Sequence, residues 1–141
     1  GRPLNCLPAL AALVLGGVLE KFPKLKVAFF ECSAEFPLYW MHRMDDDYEW
    51  ARDFTPLTGH IKMAPSEYVK RNCYFTCEAD EKDLARPIAE VGEDHILMAT
   101  DYPHFDSEYP HTVSGIMQRT DITKRQKELI LGENAAKLLN L

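Results

Sequence analysis

Positive charge is scarce in this sequence. The 16 Lys and Arg residues stand against 22 Asp and Glu, a formal net charge of −6, and they form no basic stripe of the kind a phosphate backbone requires. Nucleic acid and anionic membrane surfaces are therefore not expected partners. Long apolar runs are missing too. The longest, Ala9 to Leu19, runs straight into Glu20-Lys21-Phe22-Pro23 and is too short to span a bilayer; it reads as a buried helix. The four cysteines, Cys6, Cys32, Cys73 and Cys77, include no Cys-x-x-Cys pair. Cys73 and Cys77 lie four apart on an expected strand, on one face and about 13 Å apart, too far for a disulfide. They read as small buried thiols in a reducing cytoplasm. No glycine-rich phosphate loop and no Gly-x-Ser-x-Gly elbow occurs, which withdraws support from nucleotide binding and from the common serine hydrolases. No internal repeat or low-complexity tract is evident.

What is present is apolar and aromatic content sufficient for a core, 46% and 11% of residues, in a chain the length of one ordinary domain, residues 1–141. It opens on Gly1-Arg2-Pro3 without Met, as a piece of something longer would. Dense apolar positions predict a helix from Pro8 to Phe22, ended by Pro23. Val27-Ala28-Phe29-Phe30 is a short continuous apolar run and reads as a buried strand closing at Glu31. Ser33 then reads as the N-cap of a helix over 35–50 whose apolar face carries Phe36, Tyr39, Trp40, Met44 and Tyr48. The acids Asp45-Asp46-Asp47 on that helix point about 100° apart and cannot converge on one ion, so they read as a solvated face. Residues 51–64, with Pro56 and Gly59, read as a loop. A short helix opens at Ala64-Pro65. The strand Asn72 to Cys77 follows and ends in Glu78 and Asp80. A helix over 81–91 contains Pro87 near its start. After the polar turn Glu93-Asp94-His95 comes the strand Ile96-Leu97-Met98-Ala99. Helices are expected from Tyr109 to Gln118, after the capping box Thr123-Lys124-Arg125-Gln126, and from Glu133 to Leu141. Strands alternating with helices predict an α/β fold with a parallel sheet and right-handed crossovers.

The three strands end in Glu31, Glu78 and Asp101. Side chains at the carboxyl ends of parallel strands gather on one side of a sheet, so these acids are candidates for a common pocket. Acids are also common in loops for solvation alone, and that plainer reading stays open for Glu31 and Glu78. Asp101 stands apart because Pro103 fixes the turn behind it and His104, Asp106, Glu108 and His111 follow closely. His42, His60 and His95 read as solvated or structural. A divalent ion needs three or four carboxylate and imidazole ligands from separate elements. With no His-x-His on any strand, Asp101 is the best ligand and a complete mononuclear site is not visible.

Three separated stretches carry a resemblance: Gly17-Val18-Leu19-Glu20-Lys21-Phe22-Pro23-Lys24-Leu25-Lys26-Val27, Leu97-Met98-Ala99-Thr100-Asp101-Tyr102-Pro103-His104, and Leu131-Gly132-Glu133-Asn134-Ala135-Ala136-Lys137-Leu138. In these the chain resembles the carboxyl-terminal half of the amidohydrolase-related (amidohydrolase 2) family of metal-dependent hydrolases and decarboxylases. The resemblance implies the C-terminal part of a TIM-type (β/α)8 barrel, with roughly three of its parallel strands alternating with helices. It implies a divalent metal, zinc or manganese, held in the whole family by a His-x-His on the first strand, a histidine after the fifth and an aspartate after the eighth, onto which Asp101 falls. Asp101 is thereby the metal ligand and a catalytic proton shuttle. Glu31 stands where decarboxylating members carry a histidine, and is the second catalytic residue. His104 is the expected substrate contact. The partners implied are a small-molecule substrate and either further copies of the chain or a complementing N-terminal half covering the exposed sheet edges. This fragment alone is expected to be inactive, with or without metal. The alternative expectation is a non-catalytic half-barrel that oligomerises through those edges; a third is an open doubly wound sheet that binds an anion, which the acidic strand ends oppose.

Overall fold

The computed structural model describes residues 2–54 and 60–141. Pro56 and Gly59, the core of the expected 51–64 loop, lie outside the described residues. Three strands, β1 (Val27–Phe29), β2 (Cys73–Cys77) and β3 (Ile96–Met98), form one sheet in the order β1-β2-β3. Both pairings are parallel, with Val27 opposite Cys73 and Phe75 opposite Ile96. Parallel neighbours need long crossovers, and helices supply them. Helices α1 (Arg2–Leu15) and α2 (Val18–Lys21) precede β1, and α3 (Phe36–Ala51) and α4 (Pro65–Asn72) link β1 to β2. Helix α5 (Ala85–Val91) and a 3-10 turn (Glu93–His95) link β2 to β3. After β3 come α6 (Thr112–Gln118), α7 (Lys124–Glu128), a π-type turn (Leu129–Glu133) and α8 (Asn134–Leu139).

Alternation along the strands decides the core. Phe29, Phe75 and Ile96 are in register and share one face. The Phe29 and Phe75 rings stack at 5.4 Å, and Phe36 at the start of α3 lies 6.3 and 6.4 Å from them, so this is the helix-covered face. Cys73 and Cys77 sit on it fully buried. Burial pushes both thiols up to about 12, which leaves them inert as nucleophiles.

Several expected boundaries are corrected. The helix expected from Pro8 to Phe22 is two helices, because α1 already begins at Arg2, passes through Pro8 and stops before Gly16-Gly17. Gly17 has φ 74, and a Cβ there would fall 2.4 Å from the His60 ring; only glycine fits this left-handed turn. Ser33 is not the N-cap of α3. Its Oγ donates to Glu81 and accepts from the Glu35 N–H, and the helix starts at Phe36. The buried stripe of α3 is Leu38, Met41 and Met44, whereas Tyr39 is 64% exposed. Of the three acids on that helix, Asp45 is not merely solvated: its Oδ1 accepts from the Ser66 N–H at 2.8 Å and so caps α4. Helix α5 starts at Ala85 rather than Glu81, and α6 at Thr112 rather than Tyr109. The capping box forms as expected, with Gln126 N–H donating to Thr123 Oγ1 at 3.2 Å and Thr123 N–H to Gln126 Oε1 at 2.9 Å.

No helix among the described residues is long and apolar enough to cross a membrane. The segment after α7 instead packs on β3, and the reason is Asn134. Its fully buried side-chain amide donates to Ile96 O at 2.8 Å and Glu93 O at 2.7 Å, while its Oδ1 has no partner among the described residues. Those bonds satisfy strand and turn carbonyls that the π-type turn and α8 would otherwise cover and desolvate. Replacing Asn134 with Ala leaves both carbonyls unmet, and is expected to lower stability by about 2 kcal/mol. A urea titration of both proteins, showing a lower midpoint at unchanged slope, checks this.

Candidate metal centre at the carboxyl ends of the strands

Strand β1 stops at Phe29 because the chain turns sharply after it. Phe30 is 58% exposed, and Glu31 and Ser33 take the left-handed conformation, with φ 59 and 72. For non-glycine residues this conformation costs about 1–3 kcal/mol each and persists only where neighbours hold it. Here two side chains hold it. The Glu31 N–H donates to Thr76 Oγ1 on β2 at 3.0 Å. The Ser33 hydroxyl donates to Glu81 Oε2 at 3.0 Å, and the Ala34 N–H donates to the same carboxylate at 3.1 and 3.2 Å.

Glu81 also accepts from the Glu78 N–H at 3.0 Å, so one carboxylate ties the loop after β1 to the loop after β2. Burial pushes the Glu81 carboxyl above its ordinary range, against the pull of its backbone donors and Ser33. Arg119 grips the same loop from outside: Nη1 donates to Ala79 O at 2.9 Å and Glu81 O at 2.6 Å. Its remaining nitrogens donate to Asp121 at 2.9 and 2.6 Å, and Asp121 Oδ2 accepts from the Leu84 N–H at 2.9 Å. The guanidinium holds the Asp121 carboxyl down at about 2. Glu81, Arg119 and Asp121 escaped the sequence reading, since their partners lie 37 to 48 residues away apart from the Glu81–Glu78 and Arg119–Asp121 contacts.

Beyond β3, Asp101 is the third left-handed residue, with φ 54. Its carbonyl accepts from the His104 N–H at 2.7 Å, closing a turn that sets the two side chains near each other. Ser107 Oγ donates to Thr100 O and accepts from the Tyr109 N–H, folding the rest of the loop back on the strand end. The peptide bonds Tyr102–Pro103 and Tyr109–Pro110 are cis.

Ligand-capable atoms of Glu31, Asp101 and His104 all lie within 4.8 Å of one another. Glu31 and Asp101 are half-buried and His104 is exposed. Glu78 is not in this group. It lines a cavity of about 50 Å³ beside it, with Asp80, Asp101, Asp106, Glu108 and Thr112. Partial desolvation first, then repulsion from Asp101, Asp80, Glu81 and Asp106, pushes the Glu78 carboxyl above its ordinary range. The other histidines near the expected sites do different work. His42 pairs with Glu90 at 3.1 Å, His60 lies against Leu15 O, and His95 bonds Cys73 O at 2.7 Å while stacking on Tyr74. His111 precedes α6, its N–H donating to Glu108 O. Two carboxylates and an imidazole are an oxygen and nitrogen donor set that fits manganese or zinc.

An amidohydrolase family model matches residues 3–141. The chain belongs to that amidohydrolase family. It is 27% identical to the 2-amino-3-carboxymuconate-6-semialdehyde decarboxylase of Dictyostelium discoideum over 143 aligned positions, covering all of this chain and 38% of that protein. Among solved structures, 5-carboxyvanillate decarboxylase from Sphingomonas paucimobilis superposes with a TM-score of 0.76 at 27% identity, over 94% of this chain and 38% of its own. Dihydroxybenzoic acid decarboxylase from Polaromonas, crystallised with manganese and the inhibitor 2-nitroresorcinol, gives 0.72 at 26% identity, over 94% and 39%. The chain thus spans well under half the length of these relatives, and its sheet and helices are the C-terminal part of a TIM-type barrel.

The Arg119–Asp121 clamp makes a pH-dependent contribution. Because the folded Asp121 pKa is depressed, its stabilisation is present above the ordinary carboxylate pKa and is lost as pH falls toward about 2. Asp121→Asn is expected to cost about 1–2 kcal/mol at pH 7. Denaturation of both proteins from pH 7 to pH 2 checks this, and the difference should shrink below about pH 4.

Proposed function

We propose that this chain is the catalytic-side portion of a metal-dependent enzyme that decarboxylates or hydrolyses a small organic substrate, and that it turns over only with the rest of the barrel in place. The observation that carries the reading is the convergence of Glu31, Asp101 and His104 at the carboxyl ends of two strands. Active sites of barrels lie on that side. The curated relatives, 2-amino-3-carboxymuconate-6-semialdehyde and gamma-resorcylate decarboxylases, and the 5-carboxyvanillate decarboxylase structure support decarboxylation over hydrolysis.

Asp101 is the residue that holds the metal. When bound, a divalent metal supplies Lewis acidity that offsets negative charge growing on a substrate oxygen. The chain's own residues handle orientation and protons. In a decarboxylation the bond to the carboxyl carbon breaks, the electron pair stays on the substrate, and a proton must reach the carbon that keeps it. Asp101 shuttles protons on the face it shares with the substrate, and Glu31 is the second carboxylate able to take up or deliver one. His104, on the open side, hydrogen-bonds the substrate. Phe30, Tyr102 and Phe105 are exposed around these residues and offer an apolar rim to a small ring or unsaturated chain.

Elemental analysis tests the assignment of Asp101. After incubation with zinc or manganese and removal of free ion, the wild-type chain is expected to retain about one ion and Asp101→Ala none, with near-identical circular dichroism. Unchanged metal content in that variant would defeat the assignment.

A further inference from the structure

We propose that Glu31 and His104 bind the ion directly alongside Asp101, so that this chain carries a three-donor site for a divalent cation built wholly from its own residues. The proposal rests on the reading of Asp101 as a metal ligand and extends it to two residues that stand elsewhere in the chain.

Distance is the first argument. One donor atom from each residue lies within 4.8 Å of the other two. Donors around a first-row divalent ion sit about 2.0–2.2 Å from it, so two ligands of one ion are at most about 4.4 Å apart. Three donors equally spaced around the ion stand at most about 3.8 Å apart, so side-chain movements of up to about 1 Å close the triangle. His104 Nδ1 and Glu31 Oε1 stand 4.0 Å apart, longer than a hydrogen bond but inside the span across an ion.

Donor chemistry is the second. Two carboxylates balance a 2+ charge, and the imidazole adds the borderline donor that manganese and zinc accept and that a solvated acidic patch lacks. Preorganisation is the third. Glu31 and Asp101, at the ends of different strands, are both held in left-handed backbone, and the turn bonded from His104 N–H to Asp101 O fixes the third donor beside the second. With His104 exposed, the site is open on its solvent side, which leaves coordination positions for substrate. In this state His104 is a ligand rather than a direct substrate contact.

The test titrates Mn²⁺ into the full 141-residue chain, reading free ion by electron paramagnetic resonance and bound ion by pulsed measurement of nitrogen coupling. Glu31→Gln, His104→Gln and Asp101→Asn are compared, with circular dichroism as the check on folding. Wild type is expected to bind one Mn²⁺ with a nitrogen coupling. Each variant should bind more than about tenfold more weakly, and the coupling should vanish in His104→Gln. If only Asp101→Asn weakens binding, the extension to Glu31 and His104 is overturned while the Asp101 reading stands. Binding unchanged in all three variants overturns both. A folded wild-type chain that takes up no Mn²⁺ overturns the three-donor site.

Discussion

One carboxylate fixes the geometry of the strand ends. Glu81 accepts from Ser33, Ala34 and Glu78 at once, so the loops leaving β1 and β2 share a single anchor, and Arg119 holds that anchor through Ala79 and Glu81 carbonyls. The carboxylate lies in a half-buried place where ionisation is disfavoured, and its donors compensate in part. Strained backbone at Glu31 and Ser33 survives because this anchor and Thr76 over-determine it. The positions of the metal-competent side chains therefore depend on residues that touch neither metal nor substrate.

That dependence explains how a sheet of only three strands can present an ordered group of donors. Parallel strands in register deliver their carboxyl ends to one side, and the tied loops then set Glu31 near Asp101. The neighbouring cavity adds Glu78, Asp80, Asp106 and Glu108, with no basic residue among those lining it. The local field is negative and favours a cation at the strand ends.

Strand positions were legible in the sequence because Val27-Ala28-Phe29 and Ile96-Leu97-Met98 are short apolar runs bounded by polar turns, and the Thr123 capping box is a local signal that local geometry obeys. Asp101, Glu31 and His104 were legible as candidates from strand ends and resemblance, although only the fold brings them within reach of one another. Tyr39 was misplaced because aromatic content is a poor guide to which side of α3 faces inward; Leu38, Met41 and Met44 fill that side. Asn134, Glu81 and the Arg119–Asp121 pair act mainly across long sequence separations, and nothing in their immediate neighbours announces it. The break at Gly16-Gly17 was a local signal left unread, whereas the His60 ring that leaves no room for a Cβ at Gly17 lies outside any window around it.

Left-handed backbone at Glu31 and Asp101 also restricts what evolution or an experimenter can place there. Val, Ile and Thr are excluded by their branched Cβ, whatever their chemistry. Glycine would remove a carboxylate and release the backbone together, so its effect would mix lost chemistry with lost strain. Asparagine tolerates this conformation unusually well, so at position 101 it separates charge from shape, and the alternatives most compatible with the turn are few before any demand of catalysis is applied.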